Sequence, residues 1–184
     1  FGACVGLLAL VVGCGSSAFE SASGSPPEAP GVGGNGGSDA GKDTATPPPP
    51  GCDVTKLPSE DPCVVVESLG VFVSSSTGIA QGDGSRGKPY GSLSSGIAAA
   101  KAAGKRVYAC AETYVETMAF ENGVSMFGSF DCANGWIPSS QRATVRAPAS
   151  PAARAHEITL TTRVEGFELF APDATAPGGS AIAL

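Results

Sequence analysis

Short apolar segments return at a nearly constant spacing through the second half of this chain, and this periodicity restricts its fold more than any other feature. The recurring positions are Val107, Val124, Val145, Val164 and Ile182, at steps of roughly 17 to 21 residues. Such spacing is typical of a β-solenoid, in which each turn buries its inner face only by stacking on its neighbours. A β-sandwich also contains many short strands, but Asn122-Gly123 is the one tight hairpin signal here. The spacing therefore favours an all-β solenoid.

The local patterns predict one helix and a series of short strands. Leu93, Ile97 and Ala100 recur at helical spacing, and Gly104 stands where a helix ends in a left-handed residue. A turn is predicted at 121–123. The predicted strands are 64–66, 70–74, 106–110, 114–120, 124–127, 143–146, 157–160, 164–169 and 181–184.

The first residues have the pattern of an export signal. The apolar run Val5–Val12 is shorter than the roughly 20 residues that span a bilayer, and it fits the core of a secretory signal. The run leads into Val11-Val12-Gly13-Cys14, which resembles the bacterial lipobox. We therefore interpret residues 1–14 as a partial signal peptide whose Cys14 is lipidated, against the alternative of a buried helix with an incidental cysteine. Because Gly15 is not the Asp that retains lipoproteins in the inner membrane, the resemblance favours an outer-membrane anchor.

Residues 15–51 are predicted to be a disordered tether. They are rich in Gly, Ser, Pro and Ala, and they include the proline run 47–50. Such a segment buries too little apolar surface to offset the entropy of ordering it. Its expected role is to hold the folded residues 52–184 away from the lipid.

Four cysteines follow the signal, and an even number in an exported chain indicates disulfides. They are Cys52, Cys63, Cys110 and Cys132. Three connectivities are open, of which the two local pairs, Cys52–Cys63 and Cys110–Cys132, are favoured. A zinc site is not favoured, because the CxxC spacing is missing and His156 is the one histidine. No metal and no cofactor are expected.

The segment from Gly70 to Trp136 resembles the start of pectin-lyase-like β-helix proteins in a bacterial domain-of-unknown-function family. The matching stretches are 70–74, Lys88-Pro89, 97–100, 105–114 and 123–130. A small departure is Ser92-Leu93-Ser94, where the family commonly has a Thr-Ile pair. The resemblance implies a right-handed single-stranded parallel β-helix over residues 52–184, in which the helix caps the first turn. Since Leu184 falls within a predicted strand, the domain is expected to be truncated there.

Enzymes of the β-helix fold cleave polysaccharides with clustered Asp residues that hold calcium, or with paired carboxylates. Glu112, Glu116 and Glu121 lie close in sequence, but at strand and turn positions that need not converge. Glu165 and Glu168 lie three positions apart, and an odd separation places them on opposite faces of a strand.

Four other residues have simpler interpretations than catalysis or binding. The loop at 82–85 supplies the single carboxylate of Asp83, which is too few for a calcium loop. Trp136 and Tyr114 are interpreted as packing residues rather than sugar platforms, and His156 as a surface residue. We therefore identify no catalytic residue.

The sequence thus predicts a surface-anchored, non-catalytic β-helix module that is structural or interacts with carbohydrate. The expected partners are the membrane, through the lipid anchor, and a polysaccharide. Nucleic acid is excluded by the net charge of −6. The alternative is the first part of a polysaccharide lyase or glycoside hydrolase with its active site downstream, and an adhesin is a weaker third reading.

Overall fold

The computed structural model describes residues 47–175 and 177–183. The signal region with Cys14, and the tether up to residue 46, lie outside these residues. The described part contains a 3-10 turn at Pro62–Val64, the helix α1 (Leu93–Ala103) and ten strands. The strands are β1 (Gly70–Val73), β2 (Arg106–Cys110), β3 (Thr113–Tyr114), β4 (Met118–Phe120), β5 (Met126–Asp131), β6 (Ile137–Pro138), β7 (Ala143–Arg146), β8 (Ala153–Ala155), β9 (Val164–Glu165) and β10 (Phe167–Phe170).

The strands form three sheets in which every pairing but one is parallel. The first sheet has the order β1–β2–β5, with β9 also beside β5 and with β6 antiparallel to the end of β5. The second sheet is β10–β7–β3, and the third is β4–β8. The chain therefore visits the three sheets in one order twice, through β2, β3 and β4 and then through β5, β7 and β8. These parallel sheets exclude the sandwich and confirm a β-rich fold with one helix.

The core lies between the sheets and is built from side chains that stack from strand to strand. In the first sheet Val71 pairs with Val107, Val107 with Met126, and Met126 with Val164. In the second sheet Tyr114 pairs with Val145, which pairs with Leu169. The other stacked side chains are buried, whereas Val164 and Leu169, on the last two strands of the described residues, are half-buried. Stacking of equivalent residues buries each inner face, as the periodicity predicts.

Helix α1 covers one end of this core, and its prediction is confirmed. The Ser95 amide donates to the Ser92 hydroxyl oxygen at the first turn (3.3 Å), and Gly104 ends the helix at φ 63°. Leu93, Ile97 and Ala100 are buried against the strands. Gly96 lies so close to β1 that an added Cβ would stand 2.3 Å from Val73 Cγ2.

The outer face of the first sheet carries aromatic side chains and is covered by residues 52–69, which we call the strap. Phe72, Tyr108 and Phe127 are register neighbours, with ring centroids 5.3 and 6.2 Å apart. Tyr108 also donates a hydrogen bond to the Val64 carbonyl of the strap (2.6 Å). Trp136 packs edge-on against Phe72 at 4.8 Å.

The strand predicted at 64–66 is wrong, although Val64 and Val65 are buried. Pro62 starts a 3-10 turn there, and the Asp61 carboxylate accepts a hydrogen bond from the Cys63 amide. Proline is favoured at a helix start because it has no amide hydrogen to satisfy. The apolar run thus packs under the sheet's aromatic rings without joining the sheet.

Two predicted strands are each divided in two. The one at 114–120 bends between β3 and β4, which belong to different sheets. The one at 164–169 breaks at Gly166, whose φ is 74°. The strand predicted at 124–127 is displaced, since β5 runs from Met126 past Gly128 to Asp131.

The strand predicted at 157–160 is wrong, and β8 lies just before it. The Asn122 side-chain oxygen accepts hydrogen bonds from the amides of Thr159 (2.9 Å) and Leu160 (2.7 Å), which holds this segment as a loop. At 181–183 no strand forms, although the Ile182 and Ala183 carbonyls accept hydrogen bonds from the amides of Ala152, just before β8, and Ala153, the first residue of β8.

The spacing of 17 to 21 residues matches the first return of the chain to the first sheet, from Val107 to Met126 (19 positions), but not the second, from Met126 to Val164 (38 positions). Val107 and Val164 belong to the first sheet with Met126 between them, whereas Val145 belongs to the second. The series of positions that suggested the periodicity therefore combines residues of different sheets, although its prediction of stacked strands agrees with the parallel register.

Candidate functional site

The Glu112 carboxylate is the most densely bonded polar group of the described residues. It accepts hydrogen bonds from the hydroxyls of Ser74 (3.1 Å), Ser75 (2.9 Å) and Ser76 (2.6 Å), and from the Ser76 amide (3.1 Å). Glu112 follows β2 and the serines follow β1. Because β1 and β2 are parallel neighbours, their carboxyl ends meet at one edge of the first sheet.

These hydrogen bonds keep Glu112 ionised. Burial raises the pKa of its carboxyl, but the hydrogen bonds from Ser76, Ser75 and Ser74 outweigh burial and hold the pKa below its ordinary value. Proton donation in catalysis needs the opposite, a carboxyl whose pKa is raised. Glu112 is therefore suited to fixing the loop after β1 and unsuited to the role of a general acid.

A polar cleft of about 370 Å³ lies beside Glu112, and it is the best candidate for a binding site near the predicted carboxylates. Its lining includes Glu112, Asp131, Ser139, Gln141 and the disulfide partner Cys132. The Asp131 carboxylate is also engaged, since it accepts hydrogen bonds from the amide (3.1 Å) and the side chain (2.7 Å) of Asn134. The Ser139 hydroxyl accepts a hydrogen bond from the Gln141 backbone amide (3.2 Å), but the Ser140 hydroxyl and the Gln141 side-chain amide remain to meet a ligand, so the cleft can form hydrogen bonds to a polar molecule.

Glu116 and Glu121, the other two acidic residues of the predicted group, bind helix α1. Glu116 accepts hydrogen bonds from the amides of Leu93 (2.7 Å) and Ser94 (2.9 Å), which are free donors at the first turn of the helix. Glu121 forms an ion pair with Lys101 at 2.6 Å. Glu112, Glu116 and Glu121 thus contact different parts of the fold and do not share a site.

Asp83 and Glu165 also have local partners, whereas Glu168 has none among the described residues. Asp83 accepts a hydrogen bond from the Ser85 amide (2.9 Å) within its turn. The Ser85 hydroxyl and, to a smaller extent, this amide lower the pKa of the Asp83 carboxyl. Glu165 forms an ion pair with Arg163. Glu168 lies on the exposed side of β10, beyond the break at Gly166, so the two glutamates of this segment do not act together.

Tyr114 and Trp136 are packing residues, as the sequence predicts. Tyr114 is 1% exposed, and its hydroxyl donates to the backbone carbonyls of Val73 or Cys110 (3.1 and 3.2 Å). Burial raises the pKa of this phenol. Trp136 is 6% exposed and packs on Phe72. His156 is exposed, with its Nδ1 3.8 Å from the Glu157 carboxylate.

The structure joins Cys52 to Cys63 and Cys110 to Cys132, the two local pairs that the sequence favours. Asp61 lies beside the first pair. A cysteine binds a metal ion as its thiolate. Because the sulfurs of Cys52 and Cys63 are joined to each other, these two cysteines and Asp61 do not fit a metal site. Cys14 lies outside the described residues.

Sequence reasoning missed the serines that hold Glu112. Their signal was the run Ser74–Ser76 directly after one strand, with an acidic residue directly after the next. Parallel pairing of successive strands brings such positions together.

Comparison of the chain with models of protein families, with curated proteins and with solved structures found no match. Among the residues that the structure describes, we also found no helix of the length and apolar character required to cross a bilayer.

Proposed function

We propose that this chain is a surface-anchored, non-catalytic module with a right-handed parallel β-helix that binds polysaccharide. Support for the β-helix comes from the repeated visits to the three sheets in one order and from the stacked, parallel register. The hand follows from a general rule, because crossovers between parallel strands of a sheet are right-handed in about 98% of cases. Helix α1 would cap the first turn.

The observation that carries the non-catalytic assignment is the engagement of the carboxylates. Glycosidase and lyase chemistry needs at least two ionisable groups that converge on one sugar and are free to exchange protons or to bind a cation. Glu112 and Asp131, the acidic residues of the cleft, both accept hydrogen bonds from neighbouring loops. Their role is therefore to shape the cleft.

Polysaccharide is the favoured ligand because the groups that remain are hydrogen-bonding and uncharged. They are the Ser140 hydroxyl and the Gln141 side-chain amide, both of which line the cleft. Hydroxyl and amide groups both donate and accept hydrogen bonds, which matches the hydroxyls of a sugar. The proposed lipid on Cys14 and the tether 15–51 would hold this surface at the outer membrane, on its periplasmic or its external side.

The proposal is tested by assaying the full 184-residue chain for binding and for cleavage. Pectin, alginate and neutral glycans are used with calcium present. Binding without release of unsaturated or reducing ends is the expected result. Turnover that is abolished by Glu112→Gln or Glu116→Gln would overturn the proposal in favour of a lyase or hydrolase.

A further inference from the structure

The outer face of the second sheet is open, unlike that of the first. On the first sheet the strap covers Phe72 and Tyr108, which are fully buried. On the second sheet the outward residues are Thr113 on β3, Thr144 and Arg146 on β7, and Glu168 and Phe170 on β10. All of these are exposed except Thr144, which is half-buried. We call these five residues the open face.

Phe170 gives the open face an apolar platform. Its side chain is 44% exposed, although burying an aromatic ring away from water would be favourable. The Arg146 guanidinium lies 4.9 Å from the ring centroid, because Arg146 is the register partner of Phe170 on the adjacent strand. The guanidinium helps to fix the ring, and its outward N–H groups remain available to a ligand.

The open face also carries both signs of charge. Glu168 lies two residues before Phe170 and pairs with Thr144, so it shares the face with Arg146. Among the described residues, the ion pairs formed are Lys101–Glu121, His156–Glu157 and Arg163–Glu165, and neither Arg146 nor Glu168 takes part in one. A donor-only and an acceptor-only group therefore flank the exposed ring.

We infer that the open face binds a neutral polysaccharide, with Phe170 as the stacking platform and with Arg146 and Glu168 as hydrogen-bonding partners of sugar hydroxyls. A hydroxyl donates and accepts, so it satisfies both side chains at once. An acidic polymer would be repelled by Glu168 and by the net charge of −6. Phe170 and Arg146 are also residue types that protein interfaces favour, but Glu168 on the same face is a type depleted there, so a protein partner fits less well. This inference rests on the proposed polysaccharide binding, adds the open face to the cleft as the surface that holds the polymer most strongly, and names the ligand class.

The test measures binding of the full chain to soluble neutral polysaccharides (mixed-linkage β-glucan, xylan, galactomannan) and to polygalacturonate and alginate, by affinity electrophoresis and calorimetry. Phe170→Ala, Phe170→Leu and Arg146→Ala are compared with Arg154→Ala, a change at an exposed arginine on the third sheet. Far-UV circular dichroism and thermal unfolding confirm that each variant is folded. Phe170→Leu keeps apolar bulk without the ring, so it separates stacking from stability.

We expect a neutral polysaccharide to bind, with a Kd that changes less than twofold between low and high salt. Phe170→Ala, Phe170→Leu and Arg146→Ala should each weaken binding by about tenfold, which corresponds to about 1.4 kcal/mol, and Arg154→Ala should leave it unchanged. If binding survives the Phe170 and Arg146 changes, the open face is not the site, although polysaccharide binding stands. Binding of acidic polymers alone would overturn the ligand class, and binding of none would overturn both proposals.

Discussion

Glu112 illustrates how an acidic residue in a cleft can be structural. Its carboxylate accepts hydrogen bonds from the hydroxyls of three consecutive serines, of which Ser74 is completely buried. A carboxylate that accepts several hydrogen bonds is stabilised in its charged form. The same contacts leave it little capacity to exchange a proton with a substrate.

Replacing Glu112 with Gln should lower the free energy of unfolding at pH 7 by about 1–2 kcal/mol, because charge-assisted hydrogen bonds are weakened. The pKa of Glu112 is lowered in the folded protein, so its contribution is present above its ordinary value of 4.5 and is lost as pH falls through the folded-state pKa. The difference between wild type and variant should therefore shrink below pH 4.5. Urea denaturation at several pH values measures this.

Glu168→Gln is the matched control for that experiment. Glu168 is exposed on β10, and its carboxylate accepts no protein hydrogen bond among the described residues. The control should change stability by less than about 0.5 kcal/mol. Equal effects of the two changes, or an effect of Glu112→Gln that does not depend on pH, would contradict the role assigned to Glu112.

Helix α1 is held to the sheets by close approach as well as by apolar burial. Gly96 faces Val73, whose β-branched side chain has few alternative rotamers. Glu116 satisfies two amides at the first turn of the helix. The helix therefore depends on its neighbours more than on its own propensity, as short helices commonly do.

Gly96→Ala should destabilise the protein by about 1 kcal/mol, even though Ala exceeds Gly in helix propensity by about the same amount. The cause is the added Cβ, which would lie 2.3 Å from Val73 Cγ2. Ala98→Gly, on the exposed side of the helix, should also destabilise by about 1 kcal/mol, from propensity alone. Thermal unfolding measures both variants. Helix propensity alone would make Gly96→Ala stabilising, so a loss of stability there indicates the steric contact with Val73, and a gain would refute the packing argument.

Elements with local signals were predictable, and those set by distant contacts were not. Helix α1 and β2 follow from a cap, an apolar repeat and a strand pattern within their own residues. The segment 157–160 has the alternation of a strand, but two hydrogen bonds to Asn122 hold it as a loop. Likewise, the serines around Glu112 could be located only from the register of β1 and β2.

The complete protein, in the proposed arrangement, holds its β-helix to the outer membrane through Cys14. Cys14→Ser in a precursor with a complete signal should release the protein from the membrane fraction, because the serine cannot accept the diacylglycerol. Cys4→Ser is the control, since Cys4 precedes the proposed cut and should not affect anchoring. Fractionation without detergent, followed by immunoblotting, measures both. Retention of the Cys14 variant would contradict the anchor.

The strap has a consequence for the order in which the exported chain folds. Arg106 donates hydrogen bonds to the Val54 and Lys56 carbonyls, and Tyr108 donates to Val64, so these strap residues find their partners 44 to 52 positions later in the chain. In the proposed arrangement the chain crosses the inner membrane N-terminus first into an oxidising compartment, so the strap must wait there in solution until β2 has also crossed. Cys52 and Cys63 are only 11 residues apart, so their bond can close during that interval. The first disulfide thus compacts a segment whose docking surface does not yet exist.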